Sequence, residues 1–375
     1  MISRIVLLSL LTLTSVAVSE EPVKIEPAAA MLEKSVVLDL PFGNDNPRNS
    51  EGAFITLADG RIMFVYTRYS GGSDSDHAPA ELAARFSKDH GKTWSKEDLV
   101  LIRNEGKQNV MSVSLLRLKN NEIAMFYLRK NSSTDCRPYV RFSKDEGKSW
   151  SDPVLCTPDE IGYYVLNNDR VLLCDDGTLI LPVALHQNRD GKFVAGADIF
   201  VYISRDHGRT WHRQMQVPNP NNTVLQEPGL VELADGRILM YIRSNAGCQC
   251  YSFSADDGKN WTPIVSSPLV APMSPAILKR IPGSTKILAI WNPSKTRRNP
   301  MNIAVLSPDA GSILLEKTLD FSEDDSHWFC YPALYFLGNN QFLVGYCAGE
   351  RRIVGLNATR IILSSLHGFT QTVND

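Results

Sequence analysis

The sequence predicts an all-β protein, a six-bladed β-propeller, on the strength of two internal repeats. One repeat is a hairpin of two apolar strands around a Gly or Asn turn. It occurs six times, at intervals of about 50 to 60 residues, which is the spacing of four-stranded blades. The other repeat is a polar turn that ends in Trp and occurs four times. The apolar runs have the length of strands, and no long stretch shows a helical period.

The six hairpins account for the first two strands of each predicted blade. Their sequences are "GAFITLADGRIMFVY", "VSLLRLKNNEIAMFY", "RVLLCDDGTLILPV", "GLVELADGRILMYI", "PAILKRIPGSTKILAIW" and "PALYFLGNNQFLVGY", with turns at Gly60, Asn121, Gly177, Gly236, Gly283 and Asn340. Gly and Asn are the residues that tolerate the backbone of tight turns. The sixth blade is expected to close when its C-terminal strands pair with an N-terminal strand near "SVVLDL".

The polar turns are predicted to connect the third and fourth strands of the first four blades. They read "FSKDHGKTW" from Phe86, "FSKDEGKSW" from Phe142, "ISRDHGRTW" from Ile203 and "FSADDGKNW" from Phe253. Ser and Asp can bond the amides of a tight turn, Gly can adopt a positive φ, and Trp can fold back between neighbouring sheets. A fifth copy without Trp begins at Ser307. The motif is therefore interpreted as structural, and carbohydrate binding by exposed Trp is the less favoured alternative.

The N-terminus predicts export. Residues 1–19 contain an early Arg, a short apolar run and small residues before a cleavage site, as in a signal peptide. We expect residues 20–34 to be a linker and residues 35–375 to be the propeller. The mature protein is then secreted or periplasmic, without a membrane span, because the apolar run is shorter than the roughly 20 residues that a span needs.

Composition narrows the possible partners. The chain has 375 residues, and its 39 basic and 41 acidic residues leave a formal charge of -2, which gives no indication of a nucleic-acid partner. Seven cysteines are too few and too irregularly spaced for a disulfide framework, and Cys248 and Cys250 lack a second ligand pair for a metal. We expect a monomer with no metal and no cofactor.

The predicted topology selects one face for the functional site. We take the top face of the propeller as the face where the first strand of each blade starts. Site residues are then expected just before the first strand, at the end of the second strand, or in the loop from the second strand to the third. Residues at these places are mostly arginines and acids: Arg48, Glu51, Arg68, Asn109, Asn167, Asn168, Asp169, Arg170, Glu227, Arg243, Arg297, Arg298 and Tyr331. Several guanidinium groups on separate blades are appropriate for a ligand with a carboxylate, so an acidic sugar is the expected ligand.

At this point the chain resembles the sialidase superfamily over nearly its whole length after the signal. The polar turns are similar to the Asp boxes of that family, and "EPGLVELADGRILMYIR" resembles the segment with a glutamate and a triad arginine, here Glu227 and Arg243. The resemblance implies Tyr331, in "FCYPALYF", as the nucleophile. It also implies Asp76, with Asp74 in reserve, as the acid/base, and Arg298, with Arg297 as the alternative, as the third arginine.

The chain also departs from the family. The usual Arg-Ile-Pro motif is absent, and Arg48 in "NPRNSEGAF" is assigned as the first triad arginine by position alone. Pro332 follows the tyrosine where serine is common, and blade two has "QNVMSV" where the family often supplies an aspartate. Arg68, Asn168, Asp169 and Arg170 are further candidates for substrate binding.

The resemblance implies a retaining exo-glycosidase that removes terminal α-linked sialic acid, or a related acidic sugar, from glycoconjugates. Two other functions stay open at this stage. One is a propeller that binds acidic glycans without cleaving them, and the other is a propeller enzyme that acts on another acidic polysaccharide. The presence of Tyr331, Glu227 and Asp76 favours the hydrolase, since binding alone needs only the arginines.

Overall fold

The structure is a computed structural model that describes residues 31–189, 192–338, 340–350 and 358–367. Within these ranges every regular element is a β-strand, which confirms the predicted all-β class. No helix that could cross a membrane occurs in these parts of the chain. The predicted signal peptide and the predicted linker up to residue 30 lie outside the described residues.

The described strands form six antiparallel groups in five hydrogen-bonded sheets. Group 6 contains the first strand, β1 (Met31–Leu40), together with the last three of the chain. Group 1 contains β2 (Asn49–Thr56), β3 (Ile62–Tyr69), β4 (Ala80–Ser87) and β5 (Leu99–Ile102). Group 2 contains β6 (Asn109–Arg117), β7 (Ile123–Ser132), β8 (Asp135–Ser143) and β9 (Val154–Leu155). Group 3 contains β10 (Tyr163–Val165), β11 (Leu172–Leu173), β12 (Leu179–Arg189), β13 (Lys192–Ser204) and β14 (His212–Arg213).

The remaining groups are regular four-stranded sheets. Group 4 contains β15 (Leu225–Glu232), β16 (Ile238–Ser244), β17 (Cys248–Ser254) and β18 (Val265–Val270). Group 5 contains β19 (Ile277–Arg280), β20 (Ile287–Trp291), β21 (Met301–Leu306) and β22 (Ile313–Asp320). Group 6 is completed by β23 (His327–Gly338), β24 (Gln341–Glu350) and β25 (Thr359–His367). Groups 2 and 3 count as one nine-stranded sheet only because Tyr163 and Cys136 form a parallel bridge.

The strand pairing agrees with the hairpins that the sequence predicts. All six Gly or Asn turns connect the expected strands, and the four polar turns follow β4, β8, β13 and β17. Strand β1 pairs with β25, so the expected pairing of chain ends is confirmed. Because β1 begins at Met31, residues 31–34 belong to a strand and not to the predicted linker.

The polar turns have the hydrogen bonds that their sequence predicts. In the first, the Ser87 hydroxyl donates to Asp89 Oδ1 (2.8 Å) and accepts from the Gly91 amide (2.9 Å). The same aspartate accepts from the Thr93 amide (2.9 Å). Gly91 has a φ of 82°, which larger residues rarely adopt, and an added Cβ would lie 2.8 Å from Leu343. The glycine therefore supplies both the turn and the close approach to group 6.

Hydrophobic clusters lie between successive groups. Each group shares one cluster with the next group along the chain, from groups 1 and 2 to groups 5 and 6. Group 6 shares a further cluster with group 1. The Trp of each polar turn packs in the cluster between its own group and the preceding one. These residues are Trp94, Trp150, Trp211 and Trp261. The interpretation of the motif as structural is confirmed.

We expect Trp211→Ala to lower the free energy of unfolding by about 3–5 kcal/mol. Trp211 is 4% exposed, meets the Phe126 ring edge-on at 5.9 Å, and donates its indole N–H to the Gly208 carbonyl. Trp150 is the matched control because it is half-buried and its indole nitrogen has no hydrogen-bond partner among the described residues. Urea unfolding should show a smaller loss for Trp150→Ala. Equal losses would contradict this account of the turns.

Candidate active site

One cavity of about 560 Å³ collects most of the predicted site residues. Groups 1, 2, 3, 4 and 6 and the segment between β20 and β21 contribute its polar lining, which includes Arg48, Glu51, Asp74, Asp76, Ser112, Lys130, His186, Glu227, Arg243, Arg298 and Tyr331. Trp328, Tyr163 and Met111 add apolar surface. The structure therefore brings together residues up to 283 positions apart in sequence, from Arg48 to Tyr331.

Tyr331 and Glu227 face each other in this cavity. The Tyr331 hydroxyl donates to Glu227 Oε1 at 3.5 Å, and Arg243 Nη1 donates to Glu227 Oε2 at 2.8 Å. Loss of solvent raises the pKa of Tyr331 well above its usual value, and the Glu227 charge adds to the rise, while Arg243 and Arg298 oppose it. The phenol is therefore neutral at physiological pH, with a carboxylate beside its proton.

The innermost strands present these side chains at backbone bulges. Register shifts occur at Glu51 in β2, Ser112 in β6, Glu227 in β15 and Tyr331 in β23, and each of these residues has a positive φ between 46° and 61°. Non-glycine residues seldom adopt this conformation, and it is concentrated at functional sites. The bulges turn four side chains toward one cavity.

Three arginines line the cavity. Arg48 is 3% exposed, and its Nη1 donates to Asp76 Oδ1 at 2.5 Å and to the Asp74 carbonyl at 3.2 Å. Arg243 holds Glu227, as described above. Arg298 donates to Cys330 Sγ and to the Met273 carbonyl, both at 3.3 Å. Among the described residues no carboxylate lies within ion-pair distance of Arg298, so its charge is available to an anionic ligand.

The structure separates the alternatives that the sequence left open. Arg297 is on the surface, 59% exposed and paired with Asp325, so Arg298 is the arginine of the cavity. Asp74 and Asp76 both line the cavity, but only the Asp76 carboxylate contacts Arg48. Partial desolvation within the cavity raises the pKa of Asp76, yet the charge and hydrogen bond of Arg48 outweigh it, so the pKa is below its usual value.

Four residues that we expected to bind substrate lie outside the cavity lining. Arg68 pairs with Glu81 (3.0 Å) and Asp98 (3.3 Å) within group 1. Asn168 donates to the carbonyls of Gly52 and Tyr331. The other two are also engaged inside the protein: Asp169 accepts from Lys279 Nζ and the Leu334 amide, and Arg170 donates to the Tyr241 hydroxyl. Arg68 is thus paired within its own group, and the other three connect group 3 to other groups, so the expectation that these four line the site is corrected.

Sequence reasoning put Glu51 and Asn109 on the site face without giving them a role, and it did not identify Lys130. Glu51 is 5% exposed beside Arg48, and burial raises its pKa to about 8. Lys130 is fully buried and donates to the Asp76 carbonyl at 3.0 Å, and Asn109 donates to the same carbonyl at 2.9 Å. Lys130 could have been found, because it lies near the end of the second strand of its group, where the topological rule places site residues.

The fold and the cavity define an all-β protein of the Asp-box class. A family model described as a BNR repeat-like domain matches residues 60–344. The chain therefore belongs to the BNR repeat-like family, within the sialidase superfamily.

Individual proteins are similar to this chain in sequence or in fold, at low sequence identity. A sialidase of Clostridium perfringens is 28% identical over 236 residues, which is 55% of this chain and 58% of the relative. The chain thus spans less than two thirds of that relative's length. A Dyadobacter fermentans protein of unknown function has a TM-score of 0.72 at 18% identity, covering 89% of this chain and 99% of its own. The NanB sialidase of Streptococcus pneumoniae has a TM-score of 0.67 at 14% identity, covering 88% and 70%. These two structures show a shared fold.

Proposed function

We propose that this protein is a retaining exo-glycosidase that hydrolyses terminal α-linked sialic acid, or a closely related acidic sugar, from glycoconjugates. The contact of the Tyr331 hydroxyl with Glu227 Oε1, inside a cavity lined by three arginines, carries the proposal. The low-identity relatives named as sialidases support it. We also propose that the six groups are the blades of a six-bladed β-propeller, and that the protein acts after export, outside the cytoplasm.

The sugar's carboxylate explains why a tyrosine is the nucleophile. A carboxylate nucleophile would be repelled by the charge beside the reacting carbon, whereas a neutral phenol would not. A phenol has a reference pKa near 10 and needs a base at neutral pH. In this proposal Glu227 accepts the Tyr331 proton as the phenolic oxygen attacks the anomeric carbon, and the 3.5 Å contact between the two side chains supports this role. Sialidases are a known tyrosine exception among glycosidases.

Asp76 is the proposed acid/base. It protonates the leaving oxygen in the first step, and its carboxylate then takes a proton from the water that attacks the glycosyl-tyrosine. Tyr331 leaves in that second step and recovers its proton from Glu227. Two displacements at one carbon retain the configuration.

Substrate binding would change the state of Asp76. Without ligand the carboxylate is paired with Arg48, although its side chain is 61% exposed. The substrate carboxylate competes for the same guanidinium. Its binding would release Asp76 and place a second negative charge nearby, and both changes raise the pKa of Asp76 toward the range of a proton donor.

The third arginine gives a specific prediction. Arg298→Ala should raise KM about 10-fold to 100-fold, because it removes a charge-assisted hydrogen bond of about 1.5–3 kcal/mol to the substrate carboxylate. Arg297→Ala is the matched control, since the neighbouring side chain is on the surface with Asp325. Steady-state kinetics should show an unchanged KM for the control. Equal effects of the two substitutions would show that Arg298 does not bind the carboxylate.

The hydrolase can be tested directly with the 4-methylumbelliferyl α-ketoside of N-acetylneuraminic acid. Purified protein without residues 1–19 should release the fluorophore. If it does not, binding of free sialic acid and of glucuronic acid, measured by calorimetry, separates the alternatives. Sialic acid binding without cleavage would favour a glycan-binding propeller, and preference for the uronic acid would favour another acidic polysaccharide.

A further inference from the structure

We propose that Glu51 is a substrate-contacting residue whose carboxyl group, beside Arg48, donates a hydrogen bond to a carboxylate oxygen of the bound acidic sugar. The inference rests on the proposed function, because it assumes that the ligand's carboxylate binds at the arginines. It adds a neutral donor to the guanidinium groups. Glu51 also lies in "NPRNSEGAF", the stretch that replaces the Arg-Ile-Pro motif of the family.

The hydrogen bonding of Glu51 is incomplete. Its Oε1 accepts from the Ser112 hydroxyl at 3.1 Å. Its Oε2 is buried and has no hydrogen-bond partner among the described residues, and Arg48 Nη2 is 3.7 Å away, beyond hydrogen-bond distance. A buried polar oxygen without a partner is costly. Since Glu51 lines the cavity, a ligand atom there can supply the missing partner.

Burial and the nearby acids favour the neutral form of Glu51, against the charges of Arg48 and Lys130. Glu51 faces one guanidinium, that of Arg48, which is already paired with Asp76. The charged or titratable groups coupled to Glu51 from the elements around it are Arg48, Asp76, Glu227, Cys347, Lys130, Tyr69, Tyr163, Tyr331 and Cys136. Burial raises the pKa of Glu51 to about 8, although Arg48 opposes the rise. At neutral pH the carboxyl group therefore keeps its proton and has an O–H to donate.

The protonation state of Glu51 determines how ligand binding depends on pH. Below pH 8 the neutral acid donates to the ligand's carboxylate, and the proton stays on Glu51. Above pH 8 Glu51 becomes an anion that repels the same carboxylate. If only the protonated form binds well, KM at pH 9 should be about 10-fold higher than at pH 7, since one group with this pKa is then about nine-tenths ionised.

Glu51→Gln tests the proposal, because an amide keeps the size and a donor but does not titrate. The ratio of KM at pH 9 to KM at pH 7 should fall from about 10 in the wild type to about 1 in the variant. Glu81→Gln, a matched change at a carboxylate that pairs with Arg68 outside the cavity, should keep the wild-type ratio. So should Cys347→Ala, which removes a nearby thiol with a pKa of about 7.

A second measurement needs no sugar. Carbon-13 NMR of protein with labelled glutamate carboxyls should show one resonance that titrates near pH 8 and is missing in Glu51→Gln. Absence of that resonance, or a wild-type KM ratio near 1, overturns the role of Glu51. A protein that shows the resonance but neither binds nor cleaves a sialoside contradicts the proposed function itself and, with it, the ligand assigned to Glu51.

Discussion

Tyr331→Phe should lower kcat by roughly three orders of magnitude or more while leaving the affinity for a non-hydrolysed ligand nearly unchanged. The substitution removes one oxygen atom, the nucleophile, and the described contact of that atom is with Glu227 at 3.5 Å. The ring that packs near Arg298, with the guanidinium carbon 6.0 Å from its centroid, remains. The loss should therefore be chemical and not structural.

The measurement pairs turnover of the methylumbelliferyl sialoside with calorimetric binding of 2-deoxy-2,3-didehydro-N-acetylneuraminic acid. Thermal unfolding of the variant provides the control for folding. A Phe variant that turns over at the wild-type rate would exclude the tyrosine as nucleophile. A variant that loses turnover and affinity together would indicate that the hydroxyl serves binding.

Asp76→Ala should slow hydrolysis by an amount that depends on the leaving group. General acid catalysis contributes about 10²-fold to 10⁴-fold. Methylumbelliferone leaves readily as an anion and needs little protonation, whereas the lactose of sialyllactose needs a full proton transfer. We therefore expect a loss of at least about 10²-fold with sialyllactose and a clearly smaller loss with the methylumbelliferyl substrate.

Asp74→Ala is the matched control for this prediction. Asp74 lines the same cavity, but its described contact with Arg48 is made by the backbone carbonyl, which the substitution keeps. A leaving-group dependence in Asp74→Ala but not in Asp76→Ala would transfer the acid role to the reserve candidate. Equal losses on both substrates in Asp76→Ala would show that this residue acts on binding.

The sequence predicted the fold well because its signals are local. Each hairpin turn and each Asp-containing turn is specified by a few adjacent residues, such as Ser87, Asp89 and Gly91, whose bonds lie within the turn. The shared clusters then follow from apolar strands of similar length. Contacts between distant segments could not be predicted from adjacent residues, and the pairing of Arg48 with Asp76 is one example.

Arg68 and Lys130 show why positions near strand ends were only partly predictable. In group 4, the second strand pairs Arg243 with the residue just before the bulge at Glu227. In group 1, the second-strand residue that pairs just before the bulge is Thr67. Arg68 is one residue further on, so it faces the other side of its strand, because side chains alternate. Lys130 is two residues beyond the equivalent Leu128 and faces the cavity. The sequence locates the strand end, but the bulge decides the face.

The segment from Asn168 to Arg170 was assigned to the substrate for a related reason. Its place before the hairpin of group 3 fulfils the topological rule. However, Asp169 reaches across to Lys279 of group 5 and to the Leu334 amide of group 6. Each carboxylate oxygen of Asp169 already has a donor inside the protein and the residue lies outside the cavity lining, and only the three-dimensional arrangement reveals those donors.

The central claim is that this cavity performs a double displacement on a sialoside through Tyr331. Proton NMR during hydrolysis of sialyllactose by the wild-type protein tests it most directly. The account predicts that free α-N-acetylneuraminic acid appears first and then converts slowly to the β anomer. Initial release of the β anomer would contradict the tyrosine mechanism, because it would show a single displacement by water.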